Sequence, residues 1–192
     1  MAMKLLREYI REILTESVHP KIMEMIDALE RAKGYVEILP DRVIVWEPTE
    51  ISPRNWVAMV AFETPRGVRA GPCAGADAVV QSSTAKTGMG PLAYDVAIEL
   101  TGGLGLMPDR STVSAAARKV WEKYYNRPDI ETVQTDSHGN KLTPDDSDNC
   151  DQMSAGKDSS VGDGFEKSVL SKVYKKSGTP VMDELRKREM LR

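Results

Sequence analysis

Apolar residues recur with helical period at the start of the chain. Leu5, Leu6, Tyr9, Ile10, Ile13 and Leu14 fall at i, i+1, i+4, i+5, i+8 and i+9, a narrow stripe that predicts an amphipathic helix over 3–16. Lys4/Glu8 and Glu8/Arg11 stand at supporting spacings on its polar face. Ser17-Val18-His19-Pro20 interrupts the stripe, and Pro20 suits the first turn of a second helix. Ile22, Met25, Ile26 and Leu29 give that helix an inner face, and Gly34 marks its stop.

The period then changes from helical to alternating. YVEIL (35–39) and RVIVWE (42–47), separated by Pro40-Asp41, predict a β-hairpin. NWVAMVAFET (55–64) predicts a third strand and ADAVVQSST (76–84) a fourth, joined by a Gly/Pro-rich loop over 65–75. Helical spacing returns at Leu92, Ala93, Val96, Ala97 and Leu100, so PLAYDVAIEL is a helix ended by Gly102-Gly103. LGLMPDR (104–110) is a short strand into a turn. SAAARKVWEKYY (114–125) is a helix capped by Ser111 or Ser114, with Ala117, Val120, Trp121 and Tyr124 inward. Asn126-Arg127-Pro128 stops it, and IETVQT (130–135) is a closing strand. VLSKVYKK (169–176) and TPVMDELRKREML (179–191) read as short helices. The fold class is α/β of the α+β kind, with strands and helices mixed around one antiparallel-to-mixed sheet.

Composition adds boundaries. The 192 residues are 41% apolar, enough for one domain with a real core plus appendages. Residues 136–163 carry seven Asp against two Lys, whereas 164–192 carry eight Lys/Arg against four Asp/Glu. The expected organisation is a leader helix over 1–16, a domain over 17–135, an acidic linker over 136–163 and a basic helical tail over 164–192. A net charge of −3 argues against a general nucleic-acid binder. The basic patch LRKREMLR has interspersed acids and no aromatic platform, so nucleic acid ranks last among partners. No apolar run reaches the length of a membrane span, and no secretory signal is visible. Cys73 and Cys150 have neither metal-ligand spacing nor a disulfide framework. Asp145, Asp146, Asp148 and Asp151 lack the Gly and terminal Glu of a calcium loop. His19 and His138 are surface residues with no triad partners in sequence.

The candidate chemistry lies at TAKTGMGPLAYD (84–95). A strand that enters Gly-x-Gly and then a helix leaves backbone N–H groups without intrahelical partners, and the helix dipole adds positive charge there. Such a turn can hold a phosphate. Equally, the two glycines can serve a tight strand-to-helix turn and bind nothing. The dinucleotide fingerprint fails because Ala93 replaces its third glycine, and no Gly-Lys-Ser/Thr follows as in a Walker loop.

The strand, the run Ala85-Lys86-Thr87-Gly88-Met89-Gly90 and the helix after it resemble the Gcn5-related N-acetyltransferase (GNAT) superfold over roughly residues 20–135. In that family Gln/Arg-x-x-Gly-x-Gly/Ala precedes a long helix, and the loop's amides bind the pyrophosphate of acetyl-CoA. The resemblance implies a GNAT-like mixed sheet flanked by helices, with acetyl-CoA as cofactor. It places Lys86, Thr87, Gly88, Met89, Gly90 and Leu92 at the cofactor. It makes Tyr124 or Tyr125 the acid for the leaving thiolate, and Asp77, the one acid of the fourth strand, the base. The chain departs from the pattern at Ala85, where Gln or Arg is usual, at Pro91, which has no N–H, and at Trp121, where the family often has its tyrosine.

The leader, ending Leu14-Thr15-Glu16, is similar to the capsid-targeting leaders of large tailed phages, where a prohead protease cuts after Leu/Ile-x-Glu. An ordinary first helix docked on the domain is the other reading. Two functions follow. One is an acetyl-CoA-dependent N-acyltransferase-like protein of phage type. The other is a non-catalytic virion or interaction protein on the same fold, meeting phage structural proteins through its terminal helices. The expected location is the host cytoplasm or the virion.

Overall fold

A computed structural model describes residues 17–63, 78–86, 88–108, 113–136, 141–144 and 163–192. The leader 1–16, Asp77, Thr87, both cysteines, His138 and the Asp145–Asp151 cluster lie outside the described residues. The elements in chain order are α1 (Pro20–Arg31), β1 (Tyr35–Leu39), β2 (Arg42–Trp46), β3 (Trp56–Glu63), β4 (Ala78–Ala85) and α2 (Gly90–Leu100). Then come β5 (Leu106–Pro108), α3 (Ala115–Tyr125), β6 (Glu131–Gln134), α4 (Asp163–Lys167), a 3-10 turn (Val169–Ser171), β7 (Lys172–Lys175) and α5 (Pro180–Lys187).

The strands form one mixed sheet in the order β1-β2-β3-β4-β5-β7-β6. Its first four strands are a continuous antiparallel meander. The β4–β5 pair is parallel, and it forms because α2 carries the chain back before β5 begins. That pairing runs only from Ala78↔Leu106 to Val80↔Pro108, while β4 continues to Ala85. From Gln81 onward, β4 has no partner on its β5 side among the described residues.

α2 lies at the centre of the molecule. Every residue from Leu92 to Glu99 is buried, because the helix packs on β2, β3 and β4 and is flanked by α1 and α5. The core gathers Ile22, Ile26 and Leu29 from α1, Val43 and Val45 from β2, Val57 and Val60 from β3, and Trp121 and Tyr124 from α3.

The C-terminal stretch corrects two expectations. Residues 164–192, expected as a basic helical tail, contribute β7 to the sheet and Leu170, Tyr174, Val181 and Leu185 to the core. VLSKVYKK is not a helix but the 3-10 turn followed by β7, which sits between β5 and β6. Lys172 and Lys176 are themselves buried, and Val173 and Tyr174 are fully covered, as a central strand requires. Beyond α5 the last residues run along the edge of β1. Val36 N–H donates to Met190 O at 2.8 Å, and Ile38 N–H to Arg192 O at 2.9 Å. This covers an otherwise unpaired strand edge.

Gly34 also differs from its expected role. The left-handed residue that ends α1 is Lys33, at φ 55°, and Gly34 is a packing requirement. A Cβ there would stand 2.2 Å from Leu29 Cδ1 and 2.5 Å from Trp46 O. His19 is the N-cap of α1, its Nδ1 accepting from Lys21 N–H at 3.3 Å. Of the two candidate caps of α3, Ser114 does the work, accepting from Ala117 N–H at 3.2 Å.

Candidate functional site

The glycine turn joins β4 to α2, and its two glycines have different reasons. Gly88 adopts φ +79°, a conformation that L side chains rarely take, and it faces open space. Gly90 needs room: a Cβ there would lie 3.2 Å from Ala85 Cβ. Met89, the residue before the helix, offers no side-chain cap. Gly88 is exposed and Met89 half-buried, while Gly90 and Leu92 are buried. Lys86 is turned to the sheet, its Nζ 4.1 Å from the centre of the Trp56 ring and its N–H donating to Val57 O at 2.6 Å.

Below this turn, where β4 runs free of β5, a cavity of about 250 Å³ opens. Val80, Gln81, Ser82 and Ser83 of β4 form one wall, Tyr94 of α2 the floor, and Ser114, Ala117 and Trp121 of α3 the other wall. Tyr94 donates its hydroxyl hydrogen to Ser83 Oγ at 2.8 Å and meets the Trp121 ring edge-on, 5.2 Å between centroids. Burial pushes the Tyr94 phenol up, so it stays protonated. The described residues of the turn do not line the cavity; β4 itself connects the two.

The residue after Tyr94 faces a different environment. Asp95 is 0% exposed and lies within a buried ionic cluster. It accepts from Arg127 Nη1 at 2.6 Å and Nη2 at 2.9 Å, from the Tyr124 hydroxyl at 2.5 Å, and from Lys176 Nζ. Arg127 also grips Asp129 through Nε at 3.0 Å and Nη2 at 2.5 Å. One turn along α2, Glu99 accepts from Lys176 Nζ at 2.9 Å and from the N–H groups of Val181 and Met182 at 3.0 and 2.8 Å. The Glu99 carboxylate thus caps the start of α5, where the helix dipole favours negative charge.

Burial alone would raise the Asp95 carboxyl, but Lys176 and Arg127 outweigh it and hold it near 2. Burial pushes Glu99 up, against Lys176 and the two amides. Burial would lower Lys176, yet the two carboxylates it bridges raise it and keep it charged.

The sequence-predicted residues are only partly assembled. Gly88, Met89, Gly90 and Leu92 stand together at the head of α2. Tyr124 reaches that head, its hydroxyl 2.8 Å from Pro91 O, but it is 1% exposed and bonded to Asp95. Burial and the neighbouring Asp95 push its phenol well above the ordinary range. Tyr125 lies on the outer face of α3, 44% exposed. Thr87 and Asp77 lie outside the described residues. Among the described residues there is no group of three or more His, Cys, Asp or Glu able to hold a metal ion, and no helix long and apolar enough to cross a membrane.

Ser83 and the Asp95–Lys176 cluster escape a sequence reading, and Tyr94, which reads as a boundary residue of its helix, is instead buried at 2% exposure. The cluster's one signal is Asp95 and Glu99 at i and i+4 inside an apolar helix. Two like charges on one face oppose the helix unless a cation sits between them. Comparison with known proteins finds no matching family model, curated protein or solved structure.

Proposed function

We propose that this chain is a GNAT-like domain that binds an acyl-CoA. The pyrophosphate would rest at Gly88–Met89, and the pantetheine arm along the free edge of β4. The observation that carries the reading is the cavity of about 250 Å³ beside β4, at Val80–Ser83, where among the described residues the β4–β5 pairing ends at Val80↔Pro108. An extended amide-bearing arm suits that place, since it can pair with an unpartnered strand edge. The uncapped head of α2 supports an anion beside it. Among the described residues of the turn Gly88 is exposed, whereas Met89 is half-buried and its N–H donates to Lys86 O at 3.5 Å, which limits the anion contact to the first part of the turn.

A second reading, a non-catalytic binding or interaction protein on the same fold, is favoured by one observation. The Tyr124 hydroxyl is buried and committed to Asp95. A general acid must reach its substrate and release its proton. In this second reading the cavity still takes the ligand, but no acyl group leaves it. Partner docking through the C-terminal stretch would require surfaces that β7 and α5 leave free, because those elements are built into the domain.

Isothermal titration of the full chain with CoA and with acetyl-CoA tests the proposal. Saturable binding at micromolar concentration supports it, and folded protein that gives no heat at high micromolar CoA removes it. Free thiol released from acetyl-CoA over a panel of amines separates the readings: release supports transfer, and binding without release supports the second.

A further inference from the structure

We propose that Ser83 is a pre-set hydrogen-bond donor, oriented by Tyr94, for a carbonyl oxygen on the arm of the ligand in the β4 cavity. The inference rests on the acyl-CoA reading and names how the arm is recognised. Two hydroxyl groups hold two protons, and the Ser83–Tyr94 contact, 2.8 Å long, uses only one. Which group keeps the other is decided by burial. Tyr94 is 2% exposed, and its hydroxyl has no second partner among the described residues. Were Ser83 the donor, the Tyr94 proton would be stranded in the core, the costly arrangement for a buried polar group. Tyr94 therefore donates, and Ser83, exposed along the open edge of β4, keeps a proton to give.

The same contact fixes the direction of that proton. Tyr94 cannot swing away, being held on a helix buried on all sides and edge-on to Trp121. Its hydrogen occupies one lone pair of Ser83 Oγ and so limits the rotation of the serine hydroxyl. Both residues line the cavity with Gln81 and Ser82. A neutral donor set this way suits an amide or thioester carbonyl, and a pre-set donor loses little freedom on binding.

The test uses the full chain and two probes, CoA and ADP; ADP has the pyrophosphate but lacks the pantetheine arm. Ser83→Ala alone strands the Tyr94 hydroxyl and should lower the melting temperature. Adding Tyr94→Phe removes the stranded group and should restore it, so the double variant loses the donor without the strain. The expected result is CoA affinity weakened about three- to tenfold in the double variant, the span of one net neutral hydrogen bond, with ADP affinity unchanged. Unchanged CoA affinity overturns the donor and leaves the acyl-CoA reading standing. Equal weakening for CoA and ADP also overturns it, because the effect would then not be on the arm. Wild-type protein that binds no CoA overturns both.

Discussion

Removing Lys176 should unbalance the core more than any other single change of charge. Its ammonium is 3% exposed and bridges Asp95 and Glu99, both fully buried at their carboxylates. Lys176→Met keeps most of the apolar stem and deletes the cation. Asp95 still holds Arg127 and Tyr124, whereas Glu99 retains only two backbone amides. Breaking one side of a buried pair costs about 3–5 kcal/mol. The surviving partners of Asp95 place the loss at the low end, about 3 kcal/mol, or roughly 6–12 °C in melting temperature for a chain of this size. Urea denaturation at pH 7, with the slope unchanged, reads it directly. The pH dependence gives a second check. Burial already raises Glu99, and without Lys176 it rises further. A carboxyl raised in the folded state favours folding below its unfolded pKa, and that support is lost as pH rises through the folded value. The deficit of Lys176→Met should therefore narrow on acidification from pH 7, and Glu99→Gln added to it should recover part of the loss at pH 7. A loss under about 1 kcal/mol, or a gap that widens as pH falls, would refute the assignment of Lys176 as the bridge.

Two further outcomes test the remaining framework. Asp95, held near 2 against an ordinary 3.8, contributes stability that is present above the ordinary value and lost as pH falls through the folded one. Wild-type protein should give up about 2 kcal/mol between roughly pH 4 and 2 in a urea series, and Asp95→Asn should flatten that slope while starting lower. The glycines should separate by environment in thermal melts. Gly105, at φ +106° with a Cβ position 2.3 Å from Val173 Cγ1, should lose more than about 2 kcal/mol on change to Ala, whereas Gly88, at φ +79° in open space, should lose about 1.

Much of the sheet was legible because its signals are local. The hairpin 35–46, the strand 56–63 and the helices at 90–100 and 115–125 follow from periodicity and turn residues, and the expected boundaries differ from the observed ones by a residue or so. β7 was not legible. VYK has no alternation that distinguishes a strand from a helix, and its burial depends on β5 and β6, which come from distant sequence. The ionic cluster was hidden for the same reason. Asp95, Arg127 and Lys176 are far apart in sequence, and each, read alone, suggests a solvated face. The glycine pair was legible as a turn, but the separate causes at Gly88 and Gly90 required the backbone angle and the position of Ala85.

The cavity and the cluster meet on α2, and this determines how the site can behave. Tyr94 and Asp95 are consecutive, so they point about 100° apart around the helix. Tyr94 reaches Ser83 and the cavity, while Asp95 reaches Tyr124, Arg127 and Lys176. A ligand that pushed on Tyr94 could rotate the helix only by breaking charged bonds in a buried core, which is costly. The head of α2 is similarly tethered, since Tyr124 stands between Asp95 and the Pro91 carbonyl. Tyr94 at the cavity and the head of α2 are therefore set before any ligand arrives. A site set in advance loses little entropy on binding, so the affinity of the proposed acyl-CoA would depend on the fit of its arm to the open edge of β4.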